Sequence, residues 1–231
     1  KRLYNSSKSI SFNFGLSQKD LKNQIINIIK KEKIYENIYI RITMFIGKDT
    51  TWSDTNHIDY LISIRSIKSE LYLSKSISLS ISNFKRISSY SMPPSIKAGA
   101  NYLNSRYALL DRKKLGYDGA LFITHDNFIS ESTGSCIFFI KGKKLFTPSK
   151  ECDILEGITR NRIINLCLKN KIIVEQVKIK KNNIKNFDAA FLAGTMIEIK
   201  PISNIDNIRY DSSNKLIIEI INFLKSYIYE S

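Results

Sequence analysis

The sequence is poor in the residues that build metal centres and disulfide frameworks. Its 231 residues include two histidines and three cysteines, Cys136, Cys152 and Cys167, without close metal-ligand spacing. An odd number of widely spaced cysteines does not predict a disulfide framework, so we expect a reducing compartment. A Cys/His metal site has little support for the same reason, and we expect no metal ion.

Long apolar runs are also missing. No uninterrupted run reaches the roughly 18–20 residues that span a bilayer. The opening Lys-Arg-Leu-Tyr lacks both a methionine and the apolar core of a signal peptide. We therefore expect a cytoplasmic protein without a membrane partner, and we expect that its true N-terminus is missing from this sequence.

Acidic residues are outnumbered, since 21 Asp and Glu accompany 36 Lys and Arg and give a formal net charge of +15. Such a charge attracts polyanions. However, the basic residues are spread along the chain, and its richness in Lys, Ile and Asn is typical of an A/T-biased coding sequence. Charge alone indicates only non-specific attraction, so a basic polyanion-binding protein stays an alternative and we expect no specific nucleic acid.

The remaining composition, 43% hydrophobic and 25% charged, is typical of a globular chain. Apolar periodicity predicts helices and strands in alternation, and hence a mixed α/β (α+β) fold. The predicted helices are one capped by Ser17, one over 98–116, one over 157–168 and one capped by Ser213. The predicted strands are 38–46, two containing Ile62–Ile64 and Ile77–Ile81, 118–124, 128–130, 135–140, 145–147, 172–179 and 189–193, with a polar turn over 50–60.

The strand predicted at 38–46 alternates, which places Tyr39 and Arg41 on one face and the isoleucines on the other. Such a strand can cover a core while presenting an arginine to a binding site. The pattern fits a half-exposed strand with a solvated arginine equally well.

Lys97 follows the Met92-Pro-Pro94 break and precedes a helix that begins Ala-Gly-Ala. An amine in a confined, partly desolvated pocket loses its proton more easily, which Schiff-base chemistry needs. By position alone, a surface lysine is the simpler interpretation.

The segment Lys97–Tyr102 reads Lys-Ala-Gly-Ala-Asn-Tyr, which resembles the fold-type IV (class IV) pyridoxal-phosphate (PLP) aminotransferases, and among them the branched-chain amino acid aminotransferases. The resemblance covers essentially the whole chain. It implies that Lys97 is the catalytic lysine, binding the cofactor as a Schiff base and then moving a proton between substrate and cofactor. It also implies that Tyr102 hydrogen-bonds the phenolic oxygen of the cofactor.

The same resemblance implies the remaining cofactor residues. Ile129-Ser-Glu131-Ser is similar to the segment whose glutamate faces the pyridine nitrogen, so Glu131 is the expected carboxylate. The two walls of the phosphate site are expected at Gly157, Ile158 and Thr159, where a helix begins, and at Gly194 and Thr195. Arg2, in Arg-Leu-Tyr-Asn-Ser-Ser, is similar to the arginine that contacts the phosphate.

For the substrate, Tyr-Ile-Arg resembles the strand on which Tyr39 and Arg41 help to hold the distal carboxylate of glutamate or 2-oxoglutarate. Thr195 and Met196 are expected to receive the α-carboxylate through their backbone amides. Because an arginine can withdraw when an apolar side chain binds, one pocket could accept both acidic and branched substrates.

The resemblance further implies a two-domain enzyme that forms homodimers. We expect the remainder of a small α/β domain over 1–70, with its N-terminal part missing, a linker over 71–80 and a large cofactor-binding domain over 81–231. One departure is Cys136, which stands where the family has Asn; we expect a buried structural role. The alternatives within the fold are D-amino-acid aminotransferase and aminodeoxychorismate lyase, and an inactive homologue is a third.

Overall fold

The computed structural model describes residues 1–48, 50–67 and 75–229. The chain divides into two compact units, Lys1–Ser69 and Glu70–Ser231. Part of the predicted linker, together with 68–70 before it, lies outside the described residues, and its remainder overlaps the first strand of the second unit. The domain roles assigned to 1–70 and 81–231 stay predictions.

The first unit contains two helices and a hairpin: α1 (Arg2–Ser9), α2 (Gln18–Lys31), β1 (Ile38–Ile46) and β2 (Ile58–Ser66). The Ser17 hydroxyl accepts a hydrogen bond from the Asp20 amide at 3.1 Å, so the predicted cap of α2 is confirmed. Helix α1 was not predicted, because its eight residues carry little apolar periodicity and no side-chain cap.

Strands β1 and β2 pair antiparallel along their full length, from Ile38 opposite Ser66 to Ile46 opposite Ile58. The predicted turn over 50–60 therefore extends too far, because residues 58–60 already belong to β2. Polar residues begin β2 because it has one exposed face, so Asp59 lies among apolar neighbours without being buried.

The second unit is built on one large sheet in the order β5-β4-β3-β10-β9-β6-β7-β8, with β11 paired to β10. Its strands are β3 (Ile77–Ile81), β4 (Gly119–Ile123), β5 (Ile129–Ser132), β6 (Cys136–Lys141), β7 (Lys144–Pro148), β8 (Ile173–Val177), β9 (Ala189–Gly194), β10 (Glu198–Ile205) and β11 (Ile208–Arg209). Its helices are α3 (Asn101–Lys113), α4 (Ile158–Lys169) and α5 (Lys215–Tyr229), with 3-10 turns at Lys150–Cys152 and Lys181–Asn186.

Strand β6 contributes to the two larger apolar clusters found among the described residues of the second unit. Phe138 packs in the cluster that includes residues of α4 and α5, where its ring stacks on Phe191 with centroids 5.0 Å apart. The adjacent Phe139 packs in the other cluster with Leu121 and Tyr210. Because both faces are covered, Cys136–Ile140 are all buried and read as a continuous apolar run.

Most predicted elements of this unit are confirmed, with differences at three places. Helix α3 begins at Asn101 rather than Ala98, since the preceding residues form a turn. Strands β10 and β11 were not predicted, because β10 contains Pro201 and mixes polar with apolar residues. The cap of α5 is Asn214, whose side chain accepts the Leu216 amide at 3.1 Å.

The described residues contain neither a membrane-spanning helix nor a cluster of metal ligands. No helix among them is long and apolar enough to cross a membrane. Within the same residues, no group of three or more His, Cys, Asp or Glu side chains could hold a metal ion.

The position of the α5 cap yields a test. We expect Asn214→Ala to lower the free energy of unfolding by about 1 kcal/mol, because it removes the acceptor of a helix amide. Ser213→Ala is the matched control. The Ser213 hydroxyl donates to Asp211 at 2.8 Å on the surface, so its loss should cost less than about 0.5 kcal/mol. Urea unfolding of both variants measures the difference, and a larger loss for Ser213→Ala would contradict the assignment.

Candidate active site

Lys97 and Tyr102 lie together at the start of α3. The Lys97 ammonium donates to the Tyr102 hydroxyl at 3.0 Å, and both side chains are exposed in this unit. The bend before the helix is held by Asn101, which is buried and donates to the carbonyl oxygens of Pro93 at 3.2 Å and Ile96 at 2.9 Å. The Asn in Lys-Ala-Gly-Ala-Asn-Tyr therefore fixes the loop that presents the lysine.

Glu131 is a buried carboxylate on β5, with 6% of its surface exposed. One of its oxygens accepts from Arg86 Nη2 at 2.6 Å and the other from the Leu155 amide at 3.1 Å. Burial raises the pKa of Glu131 to about 7, while the charges of Arg86, Lys97 and Arg160 and the bond from the Leu155 amide act to lower it. The positive charge of Lys97 thus helps to lower the pKa of this carboxyl group.

Arg86 is a residue of this site that sequence reasoning missed. It lies five residues after β3 and is 5% exposed. Besides Glu131, its guanidinium donates to the carbonyl oxygen of Asp153 at 3.2 Å and lies 5.5 Å from the centroid of the Phe122 ring. No motif distinguishes Arg86 from the other basic residues. The one available signal is that a basic residue follows the apolar strand β3 within five residues.

Two glycines border the turn that joins β5 to β6. A Cβ atom at Gly157 would lie 3.0 Å from Cys136 Sγ, and one at Gly194 would lie 3.3 Å from the Ser135 Cβ. Strands β6 and β9 bring these walls together, since Cys136 pairs with Ala193. The expected buried role of Cys136 agrees with its exposure of 7%.

Gly157 is also the first residue before α4 and carries no side-chain cap. The amides of the first turn, including those of Ile158 and Thr159, thus meet the partial positive charge of a helix N-terminus. Thr195 and Met196 lie in the turn after β9, and both are exposed. Backbone amides thus lie at two places next to the Ser135–Cys136 segment, the start of α4 and the turn after β9.

Arg160 adds a positive charge below the start of α4. Its side chain is 1% exposed, and Nη2 donates to the Pro148 carbonyl at 2.9 Å and to Gln176 Oε1 at 3.0 Å. Burial lowers the pKa of Arg160. Among the described residues its Nε has no hydrogen-bond partner. Arg160 therefore anchors the helix to β7 and β8 while it keeps the region electropositive.

The remaining expected site residues belong to the first unit. Arg2 is the first residue of α1. Tyr39 and Arg41 share the outer face of β1, opposite Arg65 and Ser63 of β2. The Arg65 guanidinium lies 5.1 Å from the centroid of the Tyr39 ring. Arg65 was also missed, although its alternation with Ile62 and Ile64 would have placed it on this face.

Known proteins with similar sequences and folds agree on one family. Residues 1–205 match the family described as amino-transferase class IV. The chain is 33% identical over 212 residues to the probable branched-chain-amino-acid aminotransferase of Aquifex aeolicus (strain VF5), with 90% of this chain and 68% of that protein covered. Identity to the branched-chain-amino-acid aminotransferase of Escherichia coli (strain K12) is 27% over 215 residues, covering 90% and 69%.

The fold is similar to that of a solved enzyme. The crystal structure of branched-chain amino acid aminotransferase from Thermobaculum terrenum in its PLP form superposes with a TM-score of 0.94 at 29% identity. The superposition covers 99% of this chain and 76% of that chain. The predicted fold-type IV architecture is confirmed.

The buried carboxylate predicts a pH dependence of stability. An unfolded glutamate releases its proton near pH 4.5, whereas folded Glu131 holds it up to about pH 7. Protonation therefore stabilises the folded apoprotein at the acidic end of this window, and the contribution is lost as the pH rises. We expect the free energy of unfolding, relative to Glu131→Gln, to fall by about 1.4 kcal/mol per pH unit across the window. Denaturant titrations from pH 5 to 8 measure it, and a constant difference would contradict the burial argument.

Proposed function

Since the chain belongs to the class IV aminotransferase family, we propose that it transfers amino groups between branched-chain L-amino acids and 2-oxoglutarate with pyridoxal 5'-phosphate as cofactor. The observation that carries the proposal is the grouping of Lys97, Tyr102 and the buried Glu131 in one unit. The charge of Lys97 acts on Glu131, and the Lys97 amine contacts the Tyr102 hydroxyl at 3.0 Å. Similarity to branched-chain aminotransferases supports the substrate class.

The residues present fit such a cofactor. The amides at the start of α4 would receive a phosphate, and a buried carboxylate offers a partner for a pyridine nitrogen. When bound, PLP accepts the electrons of the substrate carbanion. The protein contributes position, charge and proton transfer.

Lys97 is the proposed catalytic residue. Its amine would hold the cofactor, and once free it would carry a proton to and from the substrate Cα. The Tyr102 hydroxyl, which accepts a hydrogen bond from the Lys97 amine, would hydrogen-bond the phenolic oxygen of the cofactor. The surrounding segment holds the amine in place through the two hydrogen bonds of Asn101.

The proposed phosphate site uses amides rather than many charges. Gly157, Ile158 and Thr159 present the amino end of α4, and Gly194 and Thr195 form the facing turn. Helix termini stabilise anions by free N–H groups and by their dipole. Arg2 is the cation that we propose to contact the phosphate from the first unit.

The proposed substrate contacts are Tyr39, Arg41, Thr195 and Met196. Tyr39 and Arg41 would hold the distal carboxylate of glutamate, with Arg65 stacked against Tyr39. The amides of Thr195 and Met196 would receive the α-carboxylate. A planar arginine fork matches a carboxylate and can withdraw from an aliphatic chain. This switch would let one pocket bind both partners of the exchange.

Assembly and location are proposed from the same family membership. We retain a homodimer and a cytoplasmic location as proposals. Helix α3 offers a candidate dimer contact, because Leu103, Tyr107 and Leu110 form an exposed apolar row at helical spacing.

The role of Lys97 can be tested by covalent labelling. Incubation with PLP followed by borohydride reduction should fix a pyridoxyl group on the peptide that contains Lys97. We expect Lys97→Ala to lose both this label and the visible absorption band of the lysine-bound cofactor, because Lys97 is the proposed attachment point. Lys143→Ala, at an exposed turn, is the matched control and should keep both. A label that persists at another lysine in Lys97→Ala would contradict the assignment.

The substrate switch can be tested separately. We expect Arg41→Met to lower kcat/KM for glutamate about 10- to 100-fold, the equivalent of one charge-assisted hydrogen bond pair. The half-reaction with leucine should change much less, since its side chain needs no cation. Lys30→Met, an exposed charge on α2, should affect neither.

An amino-donor panel provides the contradicting outcomes of this test. An equal loss for glutamate and leucine would remove Arg41 from the recognition of the distal carboxylate. Activity confined to D-amino acids, or lyase activity without transamination, would replace the proposed substrates with those of the alternative enzymes of this fold.

A further inference from the structure

We propose that Arg86 is a positioning residue for Glu131: it fixes the orientation of the carboxyl group and favours its ionised form before any cofactor binds. The meaning of this arrangement for catalysis depends on the proposed function. The arrangement itself is a property of the apoprotein.

The geometry leaves Glu131 little freedom. Its two oxygens are held by donors from different parts of the chain, the Arg86 guanidinium at 2.6 Å and the Leu155 amide at 3.1 Å. Rotation of the carboxylate would break both bonds inside a buried environment, where unpaired polar groups are costly. The carboxylate plane is therefore set by the protein.

Arg86 is itself held firmly. Its amide donates to the Ile123 carbonyl at 3.0 Å, its Nε donates to the Asp153 carbonyl at 3.2 Å, and its guanidinium lies over the Phe122 ring. A guanidinium aims several donors in one fixed plane, whereas a lysine ammonium is a point charge on a flexible stem. Arg86 thus links the loop at Asp153 to Glu131, because the same guanidinium group hydrogen-bonds both.

The loop that contains Asp153 has an unusual backbone conformation and is held by side-chain hydrogen bonds. Asp153 adopts a left-handed conformation with φ of 55°. Its side chain accepts from the amide and the hydroxyl of Ser89, at 3.0 and 2.9 Å. The segment that leads to Lys97 and the segment that leads to Gly157 are thereby tied together around Arg86.

Other cations near Glu131 cannot replace Arg86. Lys97 and Arg160 also lower the pKa of Glu131, but their effects are smaller than that of Arg86. Under the proposed function the Lys97 amine is used by the chemistry, so its charge is not constant. Arg86 hydrogen-bonds the carboxylate directly at 2.6 Å and takes no part in the proposed chemistry.

The experiment follows the protonation of Glu131 in the apoprotein by infrared difference spectroscopy, with Glu131→Gln to identify the band of its protonated carboxyl. An adjacent opposite charge lowers a carboxyl pKa by about one to three units. We therefore expect Arg86→Gln and Arg86→Met to raise the midpoint of this titration by about one to three pH units. Arg112→Met is the matched control, because Arg112 is also buried but pairs with Asp111. It should leave the midpoint unchanged.

Arg86→Lys decides the matter if the neutral variants do not fold. Lysine keeps the charge but lacks the two separate nitrogens, Nε and Nη2, that donate to Asp153 and to Glu131 in one fixed plane. We expect a midpoint raised by less than the neutral variants would give, yet measurably above that of the wild type. An unchanged midpoint in any folded Arg86 variant, or an equal shift in Arg112→Met, would overturn the proposal.

A second readout links Arg86 to the cofactor through Glu131. PLP affinity, measured by equilibrium titration, should fall in Arg86→Gln but should fall no further when this change is added to Glu131→Gln. Additive losses would overturn a role through Glu131. Failure of the wild type to bind PLP would refute the proposed function, while the apoprotein titration would still judge the role of Arg86.

Discussion

The second unit depends on one constraint, which is that the buried carboxylate of Glu131 must be compensated from within the protein. Removing a charge from water is expensive unless it is paired and hydrogen-bonded. Arg86 and the Leu155 amide meet this requirement from two separate segments. The pairing therefore organises the loops on either side of the site as well as the carboxylate itself.

The large sheet supplies the rigid frame for these loops. Strand β6 is buried on both faces, and it brings the turn before Cys136 against the ends of β9 and α4. Close approach at Gly157 and Gly194 excludes larger side chains from both walls. As a result, the loops of the candidate site are held in fixed positions by the packed strands, as a preorganised site requires.

The sequence allowed most of the fold and the order of the expected site residues to be predicted. Periodicity revealed most of the strands and helices, whereas the resemblance was needed to distinguish Lys97 from the other lysines. Arg86 could not be predicted, because its importance comes from partners that are distant along the chain. Strand β10 was missed since pairing within the sheet overrides its mixed composition and its proline. Ser213 looked like a helix cap, but a local bond to Asp211 engages it instead.

The pairing of β3 with β10 has a consequence for how the chain becomes a protein. These strands are parallel neighbours, and the Ser80 hydroxyl donates to Asp206, 126 residues later, at 2.6 Å. Until the residues of β10 have been synthesised, one edge of β3 has no partner strand, and such an edge invites intermolecular pairing. Non-local pairing of this kind also slows folding. The nascent chain thus carries Lys97 well before it can close the sheet on which the surrounding loops are mounted.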